Sequence, residues 1–226
     1  MLRSTIASCL LLTVLAAQVA AQDQAATVDS VDTVTKAVNA LEAELGKYKD
    51  NAPEAGEALF KLTGLYYENG RTFGLIRAAQ RFVAAHPTDP RHAAVMLSLL
   101  DGLEALSRNK EFAVIARQFL TRYPTAAECP QVEERLAYIL EKLGEGDGAA
   151  KVYQALWTRQ PNANGRRFGE KACLLYALVG NPGIAEGAKL AEEMFDKLPK
   201  DDYAKFVGLR SYYEWRRISR WAEANA

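Results

Sequence analysis

The sequence predicts an all-α fold: a solenoid of about four stacked helix pairs with an extra helix at each end. Three observations lead there. Pro87, Pro124, Pro161 and Pro199 fall 37, 37 and 38 residues apart, and a fixed period of roughly 20–50 residues marks a stacked-repeat architecture. Apolar columns recur at constant distances before each proline. Nowhere does the chain show the apolar–polar alternation of a half-buried strand.

The first 21 residues read as a segment apart. Arg3 is their one charge, Ile6 to Ala17 is an apolar run, and Val19-Ala20-Ala21 sets small residues before Gln22. This is the pattern of a secretory signal peptide cleaved after Ala21. The competing reading is an uncleaved anchor, but a run of about a dozen residues is short of the roughly 20 that span a bilayer. The expected destination is therefore the periplasm or the exterior, with no membrane contact after cleavage.

Residues 22–52 hold the next predicted element. Val31, Val34, Val38, Leu41, Leu45 and Tyr48 follow a 3-4-3-4-3 spacing on a helix of about 28–50, with Asp29 and Ser30 suited to cap its start. Such a seam fits either a helix covering the first repeat or a short coiled coil that makes a homo-oligomer.

Repeats fill 53–200. Twenty-five residues before each proline stand Leu62, Leu99, Leu136 and Leu174; twenty-one before stand Tyr66, Leu103, Leu140 and Leu178. Five before are Phe82, Phe119, Leu156 and Met194; four before are Val83, Leu120, Trp157 and Phe195. One apolar stripe per helix cannot be buried by a single pair, so neighbouring blocks must stack. Glu68-Asn69-Gly70-Arg71, Ser107-Arg108-Asn109-Lys110, Gly144-Glu145-Gly146-Asp147-Gly148 and Gly180-Asn181-Pro182-Gly183 are the turns inside the pairs. The predicted helices are 54–68, 73–85, 91–106, 111–122, 130–143, 148–159, 166–179 and 184–197, each second helix stopping near its proline.

Residues 201–226 are read as a C-terminal capping helix, ending near Arg220. Arg210, Arg216, Arg217 and Arg220 interleave with Tyr212, Tyr213, Trp215 and Trp221. A basic aromatic helix can meet a membrane surface or an acidic partner. Here the two residue classes surround the helix, which suits a terminal cap with solvated arginines.

Lys plus Arg and Asp plus Glu are 28 each, a net charge of zero that gives no electrostatic case for nucleic acid. After cleavage, Cys129 and Cys173 remain. Export permits a disulfide between them; two isolated thiols is the other reading, since packed helices lie ~8–10 Å apart. His86 and His92 flank Asp89 without further ligands, so no metal site is expected. No phosphate loop and no Gly-x-Ser-x-Gly occurs, and neither a cofactor nor an enzymatic activity is expected.

A helix–turn–helix block closed by proline, with Leu and then Tyr or Leu four residues on, resembles the tetratricopeptide repeat over about 54–199. Arg117-Gln118-Phe119-Leu120-Thr121-Arg122-Tyr123-Pro124 and Tyr153-Gln154-Ala155-Leu156-Trp157 are similar to the variety in exported bacterial repeat proteins. Departures are Leu100 and Leu175, bulky where the family has a small residue, and Ala79, Ala116 and Ala191 where it has an aromatic. The resemblance implies a right-handed solenoid whose first helices line a concave groove for a protein or peptide. Its groove positions fall on Phe60, Leu97, Glu134 and Ala172; on Gly64, Asp101, Tyr138 and Tyr176; and on Tyr67, Glu104, Glu141 and Val179. Tyr67, Tyr138 and Tyr176 among Asp101, Glu104, Glu134 and Glu141 would suit a basic or polar extended segment. The implied role is a non-enzymatic scaffold or adaptor of the cell envelope. Its rivals are an oligomeric element joined through 28–50 and an accessory module of an envelope enzyme complex.

Overall fold

The computed structural model describes residues 33–179 and 181–198. The predicted signal peptide and the predicted C-terminal helix lie outside the described residues. Within them the chain is helical throughout: α1 (33–45), α2 (Pro53–Glu68), α3 (Thr72–Ala85), α4 (His92–Ala105), α5 (Asn109–Arg122), α6 (Cys129–Lys142), α7 (Gly146–Arg159), α8 (Arg166–Val179) and α9 (Asn181–Lys197). This is the all-α repeat class expected from the sequence. The chain divides into two compact units, Met1–Gly102 and Leu103–Ala226, with the division inside α4.

In the first unit, α2 opens with Pro53 in its first turn, where a missing N–H is harmless. It packs antiparallel on α3, burying Leu59, Leu62 and Tyr66 with Leu75, Ile76 and Phe82. Each such side chain contributes about 1.5–3 kcal/mol on full burial. Helix α1 ends at residue 45, five residues before the end of the predicted 28–50, and the backbone turns through bonds from Gly46 to Glu42, Lys47 to Glu44 and Tyr48 to Leu45. Its Val38 and Leu45 are buried, Arg71 donates to Thr35 Oγ1 and Tyr66 to Glu42. The inward half of the seam is thus used within the chain.

In the second unit, α5 to α9 pack in sequence order, each on the next, the neighbour stacking of a solenoid. Phe112, Phe119, Leu136, Ile139, Leu140 and Trp157 form its core.

The turns inside the pairs share one device. Gly70, Ser107 and Gly144, 37 residues apart, have positive φ of 63°, 53° and 76°. The residue after each sends its N–H back across the helix end: Arg71 to Tyr66 O, Arg108 to Leu103 O and Glu145 to Leu140 O, at 2.8–2.9 Å. This six-to-one bond satisfies carbonyls that a helix end leaves open. Glycine takes that conformation freely.

The last block departs from expectation. Helix α9 begins at Asn181, three residues before the predicted 184, and runs one residue farther than its counterparts α5 and α7 when stepped by 37. The proline after it is therefore displaced, while the starts of α4, α6 and α8 at 92, 129 and 166 keep the 37-residue step. Columns counted back from Pro199 into α8 are wrong by one residue, whereas Met194 on α9, five before that proline, is buried as expected. Leu174 and Leu178, expected in the core, are 55% and 75% exposed, and Cys173 takes the place of Leu62, Leu99 and Leu136.

Leu100 is buried, so that bulky departure is accommodated; stepped by 37 residues, the family's small position in the last block falls on Leu174 rather than on Leu175, which is buried beside it. Cys129 and Cys173 are free, buried thiols; the first lies 2.9 Å from Tyr123 O and the second 3.5 Å from Gly187 O. Burial, and then Glu170, pushes the Cys173 thiol up to about 12.

Candidate functional site

Each unit presents its own part of the first-helix surface. In the first, Tyr67 near the end of α2 is half exposed and its hydroxyl donates to Asp101 Oδ2 on α4 at 3.2 Å. Gly64, one turn earlier, leaves open space beside it. Phe60 is covered by Arg91, whose guanidinium carbon lies 4.5 Å from the ring centroid. That arginine also donates to Glu57 at 2.6 Å and to Asp89 at 2.9 Å. The bonds to Arg91 hold the Asp89 carboxyl at about 2.

In the second unit the expected carboxylates are each matched to a cation on the following first helix. Glu104 meets Arg135 at 2.6 Å, Glu134 meets Arg167 at 2.9 Å and Glu141 meets Lys171 at 2.9 Å. Arg135 also lies over Phe112, 5.2 Å from its centroid. Tyr153 on α7 adds a 2.7 Å bond to Glu141; burial and that neighbouring charge raise the phenol far above its ordinary range. The surface is therefore charge-balanced, where an acid-lined groove was expected. Such exposed pairs hold register more than they add stability.

Tyr138 is 48% exposed on α6, with Lys142 Nζ 4.4 Å from its ring centroid. Tyr176, expected beside it as an anchor, is buried with its hydroxyl bonded to Gln154 at 2.6 Å. The one-residue displacement explains this. Stepped by 37 from Ile139, position 176 belongs to a core column, and position 178 follows Tyr67, Glu104 and Glu141. Leu97 is half-buried, Ala172 buried and Val179 43% exposed.

Leu174, Leu178 and Phe73 are exposed apolar residues that escaped the sequence reading. Counting from the proline hid Leu174 and Leu178. Phe73, 78% exposed at the start of α3, stands where the 37-residue step gives Lys110 and Asp147, so an aromatic in a charged column was a signal available in the sequence. Between the α6–α7 turn and the end of α8 lies an open depression of about 580 Å³, lined by Glu141, Glu145, Asp147, Leu175, Leu178 and Val179 among others.

His92, at the start of the helix predicted over 91–106, begins α4 as a buried side chain with Nε2 3.2 Å from Val83 O. His86 packs on Phe82 at 5.3 Å between centroids. Among the described residues no group of three or more His, Cys, Asp or Glu is placed to hold a metal ion. No helix of the described residues is long and apolar enough to cross a membrane.

No protein-family model and no curated protein matches the sequence. Solved structures do resemble it. A tetratricopeptide repeat protein from Parabacteroides merdae ATCC 43184 is 15% identical, with 75% of this chain and 64% of that one covered and a TM-score of 0.49. MamA is 18% identical over 74% of this chain and 90% of its own, with a TM-score of 0.47. A putative kinesin light chain with nearly identical TPR-like repeats, from Podosopora anserina, is 15% identical over 78% and 90%, also with a TM-score of 0.47. The chain spans just under two thirds of the first of these. The helical-repeat architecture of this chain rests on its own helices, with α2 packed on α3 in the first unit and α5 to α9 each packed on the next in the second.

Proposed function

We propose that this protein is a non-enzymatic scaffold or adaptor of the periplasm or cell envelope, exported with cleavage after Ala21, that binds a protein segment on its first-helix surfaces. The observation that carries the reading is the exposure of Tyr138 among side chains that already neutralise one another. A half-exposed tyrosine offers a rigid apolar face with a polar tip, the residue type that anchors interfaces. With Glu134 and Glu141 paired, the surface favours a polar segment that inserts an apolar side chain over one that brings only positive charge. In the first unit, Tyr67 with Asp101 offers the same chemistry on its own.

Burial of Val38 and Leu45 by the chain itself favours the capping role of α1 over an oligomer seam. The test is affinity capture from envelope extract by the full chain, compared with Tyr138→Ala and Tyr67→Ala. A specific partner retained by the parent and released by at least one folded variant supports the reading; equal recovery by all three opposes it. Intact mass of the exported protein tests the leader: a chain beginning at Gln22 is expected, and an uncut chain contradicts it.

A further inference from the structure

Two asparagines of the chain directly precede a glycine: Asn69 before Gly70 and Asn164 before Gly165. Asparagine is among the thermolabile side chains. A following glycine, having no Cβ, leaves its backbone nitrogen open to the carboxamide before it. The two pairs share this chemistry but stand in different surroundings.

Asn69 closes α2 with a near-helical backbone, φ −103° and ψ 12°. Its Nδ2 donates to Leu65 O at 2.8 Å. Gly70 N–H donates to Tyr67 O, and Arg71 N–H to Tyr66 O, across the helix end. A five-membered ring joining the Asn69 carboxamide to the Gly70 nitrogen needs ψ turned far from 12°, which undoes this end of α2. Asn164, by contrast, is exposed in the turn between α7 and α8. Among the described residues its carboxamide has no hydrogen-bond partner. Asn162 alone holds the turn, accepting Asn164 N–H on Oδ1 at 2.9 Å and Gly165 N–H on its carbonyl at 3.1 Å.

We propose that Asn164 is a self-modification site. The Gly165 nitrogen attacks Cγ of Asn164; a C–N bond forms, the Cγ–Nδ2 bond breaks, and ammonia leaves with the proton lost from Gly165. Water then opens the resulting imide at either carbonyl. Attack at Cγ gives aspartate. Attack at the main-chain carbonyl gives isoaspartate, whose backbone runs through Cβ and Cγ and is one carbon longer. Both products set a carboxylate just before α8, where a helix start favours negative charge, so aspartate is tolerated. Isoaspartate is not, because Gly165 has no room to move. It is buried, an added Cβ would meet Gln160 O at 1.9 Å, and its carbonyl accepts the Phe168 N–H at 2.9 Å, opening α8. The longer backbone therefore loosens the start of the helix that carries Arg167 to Glu134. This inference is independent of the proposed function.

Ageing the full, folded chain in mildly alkaline heavy-oxygen water tests it, read by peptide mapping that separates aspartate from isoaspartate. Asn164 is expected to take up heavy oxygen at least about tenfold faster than Asn69, which reacts only when the end of α2 opens. In denaturing urea the two sites are expected to convert at comparable rates, since the fold alone separates them. The purified isoaspartate form is expected to exchange its amides over 166–173 faster than the parent, with Asn164→Asp matching the parent. Four outcomes overturn the inference: equal conversion of both sites in the folded chain, conversion of Asn164 only in urea, the same rate ratio in urea as in the folded chain, and parent-like exchange in the isoaspartate form.

Discussion

Lys171 on α8 places its ammonium 2.9 Å from a carboxylate oxygen of Glu141 on α6, and the Tyr153 hydroxyl of α7 donates to the same carboxylate. Three helices thus meet at one side chain, and its two partners differ in burial. The lysine is half exposed, so Lys171→Ala should lower stability by about 0.2–1 kcal/mol. Glu141→Ala also strips a buried phenol of its acceptor and should cost about 1–3 kcal/mol. Urea unfolding of the two variants checks the order.

Ser107 sits at φ 53° where the equivalent residues are Gly70 and Gly144. A side chain in the left-handed region is disfavoured by about 1–2 kcal/mol, and glycine returns part of that relief as unfolded-chain entropy. Ser107→Gly should therefore raise stability by about 0.5–1 kcal/mol. Denaturant unfolding at a fixed pH measures it, and an unchanged midpoint would count against this account of the turn.

Asp89 carries a pH dependence of defined sign. Arg91 holds its carboxyl at about 2, below the ordinary 3.8. A depressed acid contributes stability in full above its unfolded value and loses it as pH falls through the folded one. The contribution should be intact at pH 5 and vanish between about pH 4 and 2. Asp89→Asn should be less stable at pH 7 and lose less stability than the parent across that acid window, as read by unfolding at each pH.

Val38 separates the two roles considered for α1. It is 5% exposed, and placing an unpaired carboxylate there should cost about 3 kcal/mol or more, or detach the helix. The expected result for Val38→Asp is a lower Tm with the parent's solution mass. An unchanged Tm with a reduced mass would restore the oligomer seam.

Much of this architecture was legible in the sequence because the inner blocks repeat strictly. Leu62, Leu99 and Leu136 are buried as predicted, and Gly70 and Gly144 mark turns whose geometry only a few residue types take readily. The last block was misread through one feature. A proline ends a helix but does not fix where the helix began, so a longer α9 moved Pro199 and shifted the inferred columns of Leu174, Tyr176 and Leu178 by one residue. Ion pairing was not legible either. Glu104, Glu134 and Glu141 look like an acidic lining until Arg135, Arg167 and Lys171 are brought beside them, and that depends on how successive first helices align in space. Exposure of Tyr67 and Tyr138 followed from the repeat register; what they bind is not encoded in that register.

On the proposed function, the first-helix face rather than the second is the working surface. A photo-crosslinking residue at position 138 on α6, compared with one at position 114 on α5, tests it most directly in the producing cell. Val114 is also half exposed, at 51% against 48% for Tyr138, so accessibility alone does not distinguish them. Crosslinks to a discrete protein from position 138, with none from position 114, are the predicted result; crosslinks from 114 with 138 silent would contradict it.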